Sequence, residues 1–181
     1  MITRQRFEQA QKVGAALLRG CGVAIREGEL QKIEVADFGL GSLEVFGAQI
    51  LTLVNTSKIA VKLIAMQPGQ TLPEHAHPRI GEYEGKEETL RCAWGELYLY
   101  GPGEPVLQPK AVLPAEKKDT FTQWHETTLR PGDQGTFPPN TPHWFQAGPQ
   151  GVVVWSFSTK AVDLQDVFTD AEIQRETIVE D

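Results

Sequence analysis

The sequence predicts a mainly β protein, an all-β sandwich or barrel preceded by one or two short helices. Three observations carry this reading. Apolar residues keep helical spacing only in the first few dozen positions. Beyond them, short runs rich in β-branched, aromatic and aliphatic residues alternate with turn formers. Glycine and proline, 17 and 12 of the 181 residues, recur at short intervals from residue 67 onward, as they do where turns punctuate many strands. The length suits a single domain, with residues 1–35 as a helical segment, 36–165 as the barrel and 166–181 as a tail.

Taken in order, residues 3–19 place Phe7, Ala10, Val13 and Leu17 at helical spacing, with Thr3 as N-cap and Ile2 positioned to staple against Phe7. Gly20 and Gly22 stop this helix. A second short helix is expected from Glu27 to Ile33, where Leu30 and Ile33 share a face, before the stretch Asp37 to Gly41 breaks the periodicity. Strands are expected at Ile50–Val54, Ile59–Met66, Leu97–Tyr100, Thr120–Leu129 and Val152–Phe157. Asn55, Pro68-Gly69, Gly101-Pro102-Gly103 and Pro131-Gly132 supply turns between them. The polar, acidic tail from Asp166 is expected as a final helix or a frayed end.

Composition excludes several function classes. With 40% hydrophobic and 23% charged residues the chain is ordinary for a soluble globular protein. No run approaches the length of a membrane helix, and residues 1–20 carry charges throughout in place of a signal-peptide apolar block, so no membrane partner and a cytoplasmic location are expected. The net charge is −7, without a basic stripe that could track phosphates, which argues against nucleic acid. Cys21 and Cys92 form neither a CxxC pair nor a disulfide framework, so reduced thiols are expected.

Three of the four histidines fall in two clusters, Glu74-His75-Ala76-His77 and Pro142-His143-Trp144. Residues two apart on a strand face the same side, so His75 and His77 can aim both imidazoles at one point inside a barrel. These residues also carry a family resemblance. Gly69-x5-His75-x-His77 followed by Glu88-x6-Gly95 resembles the first metal motif of the cupin superfamily, and Gly132-x5-Pro138-x-Asn140-x2-His143 resembles the second. Ten residues separate His77 from Glu88, where the common cupin motif has three or four. Glu82 fits the shorter gap, but Thr89 stands seven after it, whereas Gly95 stands at that offset from Glu88. Glu88 is therefore the expected ligand, and residues 78–87 become an enlarged polar loop at the mouth of the site. The resemblance implies a cupin double-stranded β-helix, or jelly-roll barrel, holding a divalent metal through His75, His77, Glu88 and His143. Such mixed nitrogen and oxygen ligation suits manganese, iron, cobalt, nickel or zinc, and leaves coordination positions open for water or substrate.

More particular strings, GQTLPEHAHP at 69–78, EGKEETLRCAWGELYLY at 84–100, WHE at 124–126, FPPNTPHWFQAG at 137–148 and VFTD at 167–170, resemble the D-lyxose isomerase family of small bacterial cupins. The resemblance implies a manganese-dependent aldose-ketose isomerase interconverting D-lyxose and D-xylulose, with D-mannose and D-fructose as a second pair, assembled as a homodimer. Its small-molecule partner is the open-chain sugar. The chemistry also needs a proton carrier. Lys62 interrupts the apolar strand Ile59–Met66, in phase with Ala60 and Ile64. Burial and a nearby cation both disfavour an ammonium there, the condition under which a lysine serves as a general base.

Glu126 and Asp170 are the candidate carboxylate shuttles, and Glu74, facing away from His75, is expected to be structural. Trp124, Trp144 and Phe145 offer aromatic faces to sugar C–H groups, and Lys86, Arg91 and Gln146 offer polar partners to hydroxyls. An isomerase of a phosphorylated sugar and an iron-dependent cupin dioxygenase use the same four ligands and stand as alternatives.

Overall fold

A computed structural model describes residues 1–181. The chain opens with a two-residue strand, β1 (Ile2–Thr3), and helix α1 (Arg4–Gly20), capped where expected: Thr3 Oγ1 accepts from Arg6 N at 3.3 Å. Ile2 is buried beside Ala10, Val35 and Leu43 with Phe7 packed against them, which is the expected staple. The buried face of α1 differs from the expected one, being Ala10, Gln11, Gly14, Ala15 and Leu18. The helix lies so close to the sheet that a Cβ on Gly14 would stand 2.6 Å from Gln49 Cβ. Small residues therefore face the sheet, while Val13 and Leu17 rotate to the margin. Helix α2 (Glu27–Leu30) is one turn, shorter than expected.

Strands β2 (Glu34–Ala36), β3 (Ala48–Asn55), β4 (Ile59–Met66) and β5 (Thr71–Ala76) precede two long strands. These are β6 (Glu88–Gly101) and β9 (His143–Thr159), with β7 (His125–Leu129) and β8 (Gln134–Phe137) between them. The order β10-β5-β9-β4-β3-β2 runs across the sheet, where β10 is Val167–Phe168, and β6 pairs with β7, β8 and β9. One strand, β9, thus pairs with β4, β5 and β6, all antiparallel, and this curls the sheet toward the expected barrel. Leu97–Tyr100 and Val152–Phe157 are only parts of the long strands, because bulges on β6 at residues 92–94 and 95–97 let pairing resume past the glycine turns. Gly95 sits at φ 77°, and a Cβ there would meet Gly151 O at 2.1 Å, so only glycine fits this crossing.

The main core inside the curl includes Ile50, Ile64, Leu72, Leu90, Leu97, Phe145, Val152 and Val154. A second cluster, with Ala15, Leu18, Leu51, Leu63, Ala65 and Val153, fastens α1 to the outer face of the sheet. No helix is long and apolar enough to cross a membrane.

Two expected elements fold differently. Residues 115–120 form a 3-10 turn and the strand begins only at His125. The backbone of residues 121–123 is taken out of any ladder: Thr122 N and Gln123 N donate to Glu74 Oε2 at 2.7 and 2.8 Å, and Phe121 O accepts from the Trp124 indole. The tail is neither helix nor frayed end. After a 3-10 turn at Asp163–Gln165, β10 pairs with β5 and β11 (Val179–Glu180) pairs in parallel with β1, so the tail straps back across the molecule.

Buried Glu74 joins these pieces, since its Oε1 also accepts from Thr122 Oγ1 at 2.8 Å and from Thr169 Oγ1 of the tail at 2.7 Å. Glu74→Ala leaves two backbone N–H groups without an acceptor. We expect a loss of about 3 kcal/mol in urea denaturation, with faster amide exchange confined first to residues 121–123 and 167–170.

Candidate metal centre

Four side chains from three strands and one loop converge at one end of the barrel. His75 on β5 and His143 on β9 are direct cross-strand partners, His77 follows just past the end of β5, and Glu88 opens β6. All four are buried, and their ligand atoms lie within 4.8 Å of one another. Glu82, the alternative for the shorter gap, is exposed.

The hydrogen bonds behind the rings fix which nitrogen faces the centre. His75 Nδ1 lies 2.9 Å from Pro73 O and His143 Nδ1 lies 2.8 Å from Thr141 O. A carbonyl can only accept, so Nδ1 carries the hydrogen and Nε2 presents a lone pair inward. His77 Nδ1 is held by a carboxylate, Asp166 Oδ1 at 2.7 Å. Glu88 Oε2 stands 3.1 Å from His77 Nε2 and 3.8 Å from His143 Nε2, and its Oε1 accepts from Ser156 Oγ. Lone pairs that face a carboxylate at such distances need positive charge between them. His143 Nε2 is fully buried with no hydrogen-bond partner. These residues fit a divalent metal.

The protonation of His75 and Glu88 agrees with that use, while His77 has a proton to give up when a metal enters. Burial, helped by the neighbouring His143 and His77 rings, holds His75 well below the usual imidazole range and therefore neutral. Burial opposes a charge on His77 too, but the Asp166 and Glu88 carboxylates outweigh it and raise its pKa. Burial likewise opposes ionisation of Glu88, yet Lys86 and the two imidazoles keep it a carboxylate far below its ordinary value.

Beside the cluster lies a cavity lined by Phe38, Ile50, Lys62, Ile64, Leu72, His75, Lys86, Glu88, Phe145, Asp163, Asp166, Phe168 and Arg175. Three of the predicted site residues, Lys62, Lys86 and Phe145, thus share one space with two of the predicted ligands. Lys86 Nζ stands 3.3 Å from both Glu88 Oε2 and Asp163 Oδ1, and Lys62 is ion-paired with Asp163. Burial disfavours the Lys86 ammonium, but Glu88, Asp163 and Asp166 outweigh it and raise its pKa. Burial works against the Asp163 carboxylate as well, and Lys86, Lys62 and Arg175 nonetheless lower its pKa to about 2.

Glu126, Asp170 and Trp124 do not line this cavity. Glu126 accepts from Tyr100 Oη at 2.7 Å and from Lys110 N at 2.8 Å. Asp170 pairs with Lys117 at 2.7 Å and caps Glu172 N. Trp124 packs edge-on against Tyr100 and Trp144, which stack on each other. Arg91 is turned to Gln134, and Gln146 bonds Thr71 and Val112. The residues that sequence reasoning missed, Asp163, Asp166, Arg175 and Phe38, stand in the tail or before β3 without a motif of their own.

A Cupin family model matches residues 35–178. The chain is a cupin, a β-barrel with a buried three-histidine, one-glutamate cluster suited to a divalent ion. It is 50% identical over 97% of both chains to a D-lyxose ketol-isomerase of Thermofilum sp. (strain ex4484_79). It is 43% identical over the whole of both chains to a D-lyxose/D-mannose isomerase of Thermosediminibacter oceani. The protein belongs to the D-lyxose ketol-isomerase family, and so to the sugar isomerases. The fold is shared with the crystal structure of L-ribose isomerase from Geodermatophilus obscurus, at a TM-score of 0.81 and 18% identity over 99% of this chain and 98% of that one.

A carboxylate behind a ligating imidazole orients the ring and strengthens it as a donor. Asp166→Asn therefore weakens metal affinity about 10- to 100-fold in a chelator competition, whereas Asp170→Asn, a change at a carboxylate that does not touch the cluster, leaves it unchanged.

Proposed function

We propose that the chain is a manganese-dependent aldose-ketose isomerase that interconverts D-lyxose and D-xylulose through the open-chain sugar, with D-mannose and D-fructose as a second pair. The observation that carries this reading is the inward-facing set His75, His77, Glu88 and His143 at one side of a cavity that also holds Lys62, Lys86 and Asp163. The names of the relatives support the substrates. A divalent metal held by the four ligands would stabilise negative charge developing on the sugar's C1 and C2 oxygens.

Isomerisation moves one hydrogen from C2 to C1 and the hydroxyl proton from O2 to O1, which the adjacent oxygens of the enediolate exchange directly. We assign the C2-to-C1 transfer to Lys62: its Nζ, paired with Asp163 in this structure, gives one proton to solvent before the sugar is enclosed, takes the C2 proton as the amine, and is held as the ammonium by Asp163 until the proton returns at C1. Lys86 does different work. Held as a cation by Glu88 and Asp163, it donates to a sugar oxygen and does not act as a base. Phe145 and Phe168 keep water from the reacting carbons and offer faces to the sugar's C–H groups.

Manganese and a homodimer belong to the same proposal. Trp94 with Val13, Ala16 and Leu17 of α1 lines an apolar hollow on the outer face of the sheet, and Leu53, Ile59 and Phe157 are exposed, a surface that a second copy would cover. A monomer mass by light scattering at micromolar concentration rules the dimer out. Cys21 and Cys92 are free thiols, which agrees with a reducing, cytoplasmic setting.

The test is to strip the protein with chelator, restore manganese, and assay D-lyxose and D-mannose anaerobically. Manganese-dependent xylulose from lyxose supports the reading; no ketose from either sugar, with metal bound, overturns it. Lys62→Met is expected to lower kcat by about 10²- to 10⁴-fold with metal content unchanged. Retention of most activity removes Lys62 from the role.

A further inference from the structure

Outside the metal cavity lies a groove of about 590 Å³, bordered by Glu34 and Val35 of β2, the turn at residues 161–165 and residues 175–177 of the tail. The inner cavity by contrast has a volume of only about 30 Å³, room for a water molecule or two. A pentose needs several times that, so the apolar lining adjusts to any sugar, and a longer one presses further toward the groove. The two spaces have two residues in common, Asp163 and Arg175. Arg175 is ion-paired through Nη1 with Glu34, a groove residue, and its Nη2 stands 4.0 Å from Asp163 Oδ2. Asp163 in turn grips Lys62 and Lys86 inside. The partition between groove and cavity is therefore a guanidinium held between two carboxylates.

We propose that Arg175, latched by Glu34, determines how long a sugar the site accepts. The proposal rests on the isomerase reading above. The reacting C1 and C2 belong beside the ligand cluster, so the remaining carbons of an open-chain sugar run across the cavity toward Asp163 and Arg175. A pentose ends at the partition. A hexose carries one more hydroxymethyl group and has room for it only when the guanidinium swings into the groove and leaves Glu34. Glu34 is 42% exposed and Arg175 11%, so the carboxylate end of the pair meets water, and that is where the pair can open. Arginine suits the place, since its fork of N–H donors can meet either a carboxylate or the hydroxyls of the longer sugar.

The experiment compares wild type, Glu34→Gln and Arg175→Ala, each loaded with manganese and checked for thermal unfolding, with D-lyxose and D-mannose. We expect the ratio of kcat/KM for mannose over lyxose to rise about tenfold in Arg175→Ala and by a smaller factor in Glu34→Gln. The change should come through the KM for mannose. If both sugars lose activity in parallel and the ratio stays fixed, Arg175 only braces the fold and the proposal is overturned. If the loaded wild type converts neither sugar, the isomerase reading has failed instead. The partition is then judged by the rate at which a bulky chelator extracts manganese: several-fold faster extraction from both variants sustains it, and rates equal to wild type sink it.

Discussion

Four buried acceptor atoms pointing at one another are the constraint on which this structure turns. Three imidazole nitrogens and a carboxylate, all buried, gather electron density within 4.8 Å. Such a group calls for positive charge, a divalent metal or a proton on His77, and each ring is locked from behind. Two of the locks are backbone carbonyls two residues before each histidine, Pro73 O and Thr141 O, so the strand that presents the ring also fixes its tautomer. The third, Asp166, comes from a distant segment. That difference makes His77 the position at which the tail bears on the cluster.

The same electrostatics orders the rest of the cavity. Glu88 faces Lys86, Lys86 faces Asp163, Asp163 faces Lys62 and Arg175, and Arg175 faces Glu34, so charges alternate from the cluster out to the groove. Alternation of this kind leaves no buried charge unpaired, which is the condition for having so many of them. It also means that no member is independent. Removing Asp163 would leave Lys62, Lys86 and Arg175 crowded together without the carboxylate that holds each of them.

Much of this was legible in the sequence, and for definite reasons. The inward pairing of His75 and His77 follows from strand geometry and the alternating runs mark the β-fold, whereas Glu88 and His143 were joined to them only by the resemblance to the cupin motifs, and the structure brings all four together. Lys62 stood out because a charge in an apolar strand asks for an explanation. The buried face of α1 was displaced from its hydrophobic spacing because close approach of a helix to a sheet selects small residues, which periodicity does not weigh. Glu126, Asp170 and Trp124 carried local patterns that do not reveal which way a strand or turn faces. Asp163, Asp166 and Arg175 were illegible for a different reason: a polar tail has the same composition whether it frays or folds back over a charged cavity, and only the partners it meets tell the two apart.

The tail's return also separates what must be rigid from what must adapt. Of the four cluster residues, His75, Glu88 and His143 stand in the paired backbone of β5, β6 and β9, and His77 follows directly after β5. Asp163, Asp166 and Arg175 ride instead on a single 3-10 turn, a two-residue strand and an irregular stretch. Segments with so few ladder bonds open at lower cost than the core. A metal site would tolerate little displacement of its donors, while the lining contributed by the tail can shift at lower cost. Within this lining Asp163 and Arg175 make no contact with the histidines and are free to vary without disturbing them, whereas Asp166, hydrogen-bonded to His77, ties the tail to the cluster.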